Sequence, residues 1–177
     1  MNNNGLVIWI NGLSGSGKST IGSTLYNIIK NDISNVVYLD GDSFREIFGQ
    51  SKYDKDSRIQ AAFLRAKLCE LLSKQGIVVI ASTISLFNEV YAFNKQIFKH
   101  YIEIYIECSM EELIKRDQKG LYTNALSGKI KDVVGIDIDY DMPNPDLIID
   151  NNKQDNLIAK ARQIIEYMNQ NNIKYIK

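Results

Sequence analysis

Gly12-Leu13-Ser14-Gly15-Ser16-Gly17-Lys18-Ser19-Thr20 decides how this 177-residue chain is read. The run fits G-x-x-x-x-G-K-[ST]; the β-rich run Leu6 to Ile10 precedes it and helical periodicity begins at Lys18. Glycines in such a turn let successive backbone N–H groups face one anion, and the following helix adds the positive end of its dipole. Gly12, Ser14, Gly15, Ser16, Gly17, Lys18, Ser19 and Thr20 are therefore the expected phosphate cradle. Lys18 is expected at the β/γ-phosphates of ATP, and Ser19 as a ligand of Mg²⁺.

Outward from this motif, apolar β-rich runs recur at Val36 to Leu39, Ile77 to Ala81, Tyr101 to Ile106 and Leu147 to Ile149. Helical spacing fills the intervals: Lys18 to Lys30, Ser57 to Lys74, Asn88 to Phe98, Ser109 to Arg116 and Asn156 to Asn169. Alternating strands and helices with near-continuous apolar strands, together with the phosphate loop, predict an α/β P-loop fold, a five-stranded parallel sheet with helices on both faces. Residues 1–177 are expected to form a single domain. One region breaks the alternation. Gln118 to Pro143 has few long apolar runs, carries Gly120, Gly128, Gly135, Lys119, Lys129 and Lys131, and is expected to be a mobile lid.

Lys+Arg and Asp+Glu both number 21, so any cationic site must be local and a nucleic-acid partner is not expected. No apolar run reaches membrane-spanning length, and Met1 to Gly5 lacks a signal-peptide pattern. Together with Cys69 and Cys108, which lack metal or disulfide spacing and read as core residues, this predicts a cytoplasmic protein without a membrane partner. Trp9 reads as core and His100 as a surface or edge residue. The Tyr-rich end, Tyr167 to Tyr175, specifies no partner.

Two matches point toward a GTPase: Asp132-Val133-Val134-Gly135 fits D-x-x-G and Asn152-Lys153-Gln154-Asp155 fits N-K-x-D. The first follows a polar stretch where a buried strand is needed, and the interval is too short for a helix and strand. Asn152 to Asp155 reads better as a polar helix cap. A nucleotide-binding switch without turnover is the non-enzyme alternative. Against it stands Asp40-Gly41-Asp42-Ser43-Phe44-Arg45, which places two carboxylates and an arginine at the carboxyl edge of the sheet, where ligands bind. A carboxylate there can accept a hydroxyl proton, and Arg45 can hold an anionic part of the acceptor. The plainer alternative, Asp42 as a helix N-cap, accounts for one carboxylate alone.

With the P-loop, Asp40-Gly41-Asp42 and Arg116-Asp117-Gln118-Lys119-Gly120-Leu121-Tyr122 in place, the chain resembles adenylylsulfate kinases almost end to end. The resemblance continues through Ala125, Gly128, Ile130, Gly135, Tyr140 and Pro143, where the family has a lid. It implies Mg-ATP phosphorylation of a nucleotide's ribose 3′-hydroxyl. Asp42 is implied as base, Lys18 as the group steadying the phosphoryl, and Arg45 and Arg58 as the acceptor's grip. It further implies Arg116 beside ATP, Lys119 reaching phosphates from the lid, Ser85 as a positioning residue, and Asp40, Tyr53, Ile84 and Leu121 at the acceptor. A homodimer is implied as well.

The acceptor half departs from the pattern. The family's D-R-x-E-N-I-R-R reads Ser57-Arg58-Ile59-Gln60-Ala61-Ala62-Phe63-Leu64, its I-S-P-Y-R reads Ile84-Ser85-Leu86-Phe87-Asn88, and its F-T-G reads Val133-Val134-Gly135. An Asn, two Arg and a base-stacking Phe are thus replaced at Ala61, Phe63, Asn88 and Val133, leaving Tyr53 to cover a base. A lost stacking ring alone forfeits about 1–3 kcal/mol. The ATP half is untouched, whereas decay would strike it too. The pattern points to a changed acceptor: cytidine diphosphoramidate, the substrate of a branch of the family serving the phosphoramidate decoration of bacterial capsules. Adenylylsulfate, the sulfate-assimilation substrate converted to 3′-phosphoadenylylsulfate, is the alternative.

Overall fold

Five parallel strands in the order β2-β3-β1-β4-β5 form one sheet in the computed structural model, which describes residues 4–173. Met1 to Asn3 of the N-terminal segment, and Tyr175, lie outside the described residues. The strands are β1 Val7–Asn11, β2 Val36–Leu39, β3 Val78–Thr83, β4 Tyr101–Glu107 and β5 Leu147–Asp150. β1 lies at the centre, pairing Trp9 with Ala81 on one side and with Glu103 on the other. All five of its residues are buried. Side chains alternate across a strand, and here the two faces feed two cores. Ile8 and Ile10 pack with Ile21, Leu25 and Ile29 of α1 (Lys18–Ile29) and Ala161, Ile164 and Met168 of α7 (Leu157–Gln170). Val7 and Trp9 pack with Ile59, Ala62, Ala66 and Cys69 of α3 (Lys55–Ser73) and Val90 of α4 (Asn88–Ile97). Cys108 is likewise buried, and both cysteines are free.

The predicted α/β sheet is thus present, with every predicted strand and helix at its expected place to within a few residues. The remaining helices are α2 Gly41–Ile47, α5 Met110–Arg116 and α6 Leu121–Leu126. α2 begins directly at the carboxyl end of β2. Its cap is Asp40, whose side chain accepts from the Asp42 N–H at 3.1 Å; Asp42 lies inside the first turn and caps nothing. Asn152 to Asp155 is a polar turn, not a cap. Asn156 is the N-cap of α7, with no side-chain bond, while Lys160 reaches back to Asp155 at 3.2 Å.

Gln118 to Pro143 is less loop-like than its sequence suggests. A 3-10 turn (Gln118–Gly120) and α6 open it, and Tyr122, Val133, Val134 and Ile138 are buried in the core shared with Trp9. Its apolar residues are spaced too irregularly to show a period, yet these four share one core, with Leu121, Ala125, Ile136 and Tyr140 packed against it. Only Leu126 to Lys131 is continuously exposed.

Candidate active site

The phosphate loop is held rather than merely curled. Gly15 (φ 76°) and Gly17 (φ 98°) are left-handed, which strains any other residue there, and at Gly17 a Cβ would also lie 2.2 Å from Asn151 Nδ2. Asn151 Nδ2 donates to Ser16 O at 2.6 Å, and its own Oδ1 accepts from the buried Lys160 Nζ at 2.7 Å. Arg116 donates to Gly15 O at 3.2 Å and Asn151 O at 2.6 Å. From α6, Tyr122 Oη donates to Ser14 O at 2.7 Å. The carbonyls of Ser14, Gly15 and Ser16 are therefore all held by side chains from outside the loop, and Ser16 N–H closes a turn within it on Leu13 O.

Within the loop, two groups lack an adequate partner. The Ser16 hydroxyl is buried and bonds to no group among the described residues. Among the described residues, Lys18 Nζ donates only to Leu13 O, at 3.0 Å. Burial pushes its ammonium down to about 8; the nearby Asp42 and Asp40 carboxylates work in the opposite direction. A half-buried cation facing a cavity in that state gains most from an anion.

The loop forms one end of a cavity of about 390 Å³ lined also by Gly41, Asp42, Arg45, Tyr53, Arg58, Ala61, Arg65, Ile84, Lys119, Leu121 and Val133. Of the expected site residues, Ser14, Gly15, Lys18, Ser19, Asp42, Arg45, Tyr53, Arg58, Ile84, Lys119 and Leu121 meet there. Asp42 is exposed to it from the first turn of α2. Arg45 and Arg58 flank Tyr53, their guanidiniums 4.5 and 5.4 Å from its ring centroid. Arg45 Nη1 donates to Lys52 O at 2.8 Å, and Arg58 donates to Tyr53 O at 2.6 Å and Asp132 O at 2.8 Å. Among the described residues no carboxylate lies within ion-pair distance of either arginine. Burial lowers both guanidiniums, Arg58 to about 10.

Gly12, Ser16, Gly17 and Thr20 frame the loop from behind without lining the cavity, and Arg116 spends its guanidinium on backbone carbonyls and Glu112. Asp40, expected at the acceptor, is a hub beneath it. Its Oδ1 accepts from Tyr38 Oη and Ser82 Oγ, both at 3.1 Å. Burial would raise its carboxyl, but hydrogen bonds from Ser19, Ser82, Tyr38 and the Asp42 N–H hold it below the ordinary range. Ser85 is fully buried and off the cavity. Its Oγ donates to Asn11 Oδ1 at 2.9 Å and accepts from Trp9 Nε1 at 3.2 Å, so it positions the β3 end rather than touching substrate.

Two of the four departures do not bear on the cavity. Phe63 packs on Phe93 of α4, ring centroids 4.6 Å apart, and Asn88 starts α4, its N–H donating to Asp141. Ala61 and Val133 do line it. Sequence reasoning missed Arg65, Ser82, Thr83, Gln118 and Lys131. Arg65 carried a usable signal: it is one turn past Ala61 and two past Arg58 on the same face of α3.

A phosphate loop, a carboxylate and unpaired guanidiniums around one cavity on this sheet define a P-loop kinase. The chain is similar to the adenylylsulphate kinase family model across residues 4–150 and belongs to that family. It is 52% identical over 166 residues to the cytidine diphosphoramidate kinase of Campylobacter jejuni, covering 94% of this chain and 98% of that one. It is 38% identical to the adenylyl-sulfate kinase of Clostridium kluyveri, covering 84% and 76%. The APS kinase of Mycobacterium tuberculosis, solved in complex with AMPPNP and APS, superposes with a TM-score of 0.85 at 27% identity, covering 94% and 98%.

Proposed function

We propose that this protein transfers the γ-phosphoryl group of ATP to the ribose 3′-hydroxyl of cytidine diphosphoramidate, the substrate class named by its 52%-identical relative. The observation that carries the reading is the placement of Asp42 between the phosphate loop and two arginines without carboxylate partners, all on one cavity. Asp42 accepts the hydroxyl proton as the ribose oxygen attacks the γ-phosphorus; the bond from that phosphorus to the β-bridging oxygen breaks, and ADP leaves. Lys18 and the loop N–H groups hold the phosphoryl oxygens through the transfer. Arg45 and Arg58 hold the acceptor's anionic tail, and Tyr53 covers its base.

The donor set suits Mg²⁺, since Ser19 presents a hydroxyl to the cavity beside the Asp40 carboxylate. Ser19 would hold the ion and Asp40 orient its waters, and when bound it neutralises charge between the β- and γ-phosphates.

Ala61 and Val133 favour the cytidine compound because each removes, at the cavity wall, a contact that adenylylsulfate uses in the family pattern. We further assign Gln118–Pro143 as a lid within a single 1–177 domain, a cytoplasmic location and a homodimer, on the family resemblance. Among the described residues no helix is long and apolar enough to cross a membrane. Comparing kcat/KM for cytidine diphosphoramidate and adenylylsulfate, with the product's phosphate located by NMR, tests the assignment. A cytidine preference with a 3′-phosphate is expected. A tenfold preference for adenylylsulfate overturns the acceptor, and a 5′-phosphorylated product overturns the mechanism.

A further inference from the structure

Arg45 and Arg58 are the guanidiniums used above, and a third lines the same cavity. Arg65 is 2% exposed on the cavity-facing stripe of α3. Nη1 donates to Thr83 Oγ1 at 2.6 Å and Nη2 to Gly41 O at 3.3 Å, and the guanidinium lies 4.4 Å from the Phe44 ring centroid. Nε donates to no protein acceptor, and among the described residues no carboxylate is within ion-pair distance.

Packing does not account for such a residue. Leaving a buried charged donor unpaired is destabilising, and an aliphatic side chain would fill the space on Phe44 without that penalty. Burial has already pushed the guanidinium down to about 10. The small Ala61 side chain, one helical turn toward Arg58, leaves the cavity wall open beside it. The cavity also has a polarity along its length. Tyr53, 48% exposed, is the ring available to a base, Asp42 is the base assigned above, and Arg65 is the most buried of the three arginines.

We propose that Arg65 is a specificity-determining residue of the acceptor site, binding the terminal anionic group of the acceptor's diphosphate-like tail past the opening at Ala61. Arg45 and Arg58 then take the phosphate nearer the ribose. This rests on the acceptor reading above only in requiring a nucleotide with two linked anionic groups.

The test measures binding of CMP and CDP by calorimetry, with the ATP site saturated by Mg²⁺ and a non-hydrolysable ATP analogue. The protein is expected to bind CDP at least tenfold more tightly than CMP. Arg65→Met should weaken CDP about tenfold or more and CMP less than threefold, and Arg65→Lys should recover part of the difference. Ala61→Val, which narrows the opening without touching Arg65's bonds, should produce the same selective loss. Equal weakening of CMP and CDP by Arg65→Met, the signature of a residue that merely props Gly41 and Thr83, overturns the proposal, as does undiminished CDP binding. If Arg65→Met fails to fold by circular dichroism, Ala61→Val decides by the same criterion. Should turnover show that adenylylsulfate is the preferred acceptor, the cytidine reading falls, and the same comparison with AMP and ADP judges Arg65 separately.

Discussion

The two ends of the cavity solve the problem of holding an anion in opposite ways. At the phosphate loop the donors are contiguous in sequence, and the frame behind them is tied by Arg116, Asn151 and Tyr122 to three other elements. At the acceptor end the donors come from α2, α3 and the β3 terminus, with residues from 118–134 lining the same cavity. There, among the described residues, the guanidiniums are steadied only by backbone carbonyls, a hydroxyl and aromatic faces. The first arrangement is preorganised for one invariant ligand. The second leaves charge uncommitted until the acceptor arrives, so single side chains can change its selectivity without disturbing phosphoryl transfer.

The largest expected effects lie where the two ends meet. Lys18→Ala and Asp42→Asn should each lower the single-turnover rate by roughly 10²–10⁴-fold, the range for losing an electrostatic or proton-accepting group. Circular dichroism should be unchanged, since neither side chain packs in the core. Near-native rates in either variant would remove that residue from the mechanism.

A smaller effect separates cavity-lining departures from remote ones. Ala61→Asn with Val133→Phe should move the acceptor ratio toward adenylylsulfate by roughly tenfold, as expected for restoring a ring contact and a polar anchor. Phe63→Arg with Asn88→Arg should leave the ratio within about twofold, because neither residue lines the cavity. Steady-state kinetics with both acceptors decides it. If the second pair shifts the ratio as much as the first, selectivity is set outside the cavity wall.

How much of this was legible follows the same division. The sheet, its helices and the phosphate loop could be read because strand periodicity and a contiguous motif are local properties of the chain. The acceptor end is a product of topology. The helical spacing of Arg58, Ala61 and Arg65 puts them on one face of α3, but which face meets the ligand is settled only by packing, where Phe93 of α4 claims Phe63. The same holds for Asp40 and Asp42. Both could cap α2, and the helix start at Gly41 assigns the cap to Asp40, which frees Asp42 for the cavity. Irregular apolar spacing hid the core anchorage of residues 122–138.

That anchorage narrows the proposed lid to its exposed stretch. Tyr122, Val133, Val134 and Ile138 are pinned in the core, and Asp132 N–H and Val133 N–H both bond to Asp137, at 2.7 and 2.6 Å. Left-handed backbone at Asp117, Lys119 and Gly120 marks the entry to the segment. We therefore expect hydrogen exchange to slow on binding both nucleotides chiefly at residues 123–131, by about tenfold, with Tyr122 and residues 133–138 already protected in the free protein. Uniform protection of the whole segment in both states would mean that it does not act as a lid.

The smallest expected effect is a fraction of a proton, and it probes the phosphate end before any chemistry. Burial lowers Lys18 from 10.5 to about 8, partly opposed by Asp42 and Asp40, so near pH 8 the free protein carries Lys18 about half protonated. Phosphate oxygens stabilise the ammonium and raise that value again, so ATP binding should take up a proton, not release one. Uptake is expected to be near zero at pH 6.5, where Lys18 is charged in both states, and to approach roughly half a proton at pH 8. Calorimetry of Mg-ATP binding in buffers of different ionisation enthalpy reads this as the slope of heat against buffer enthalpy. Lys18→Arg, charged throughout, supplies the baseline for protons carried by the nucleotide itself. A slope equal to that baseline at pH 8 would show that Lys18 is fully charged in the free protein and that this end of the cavity is wetter than its burial implies.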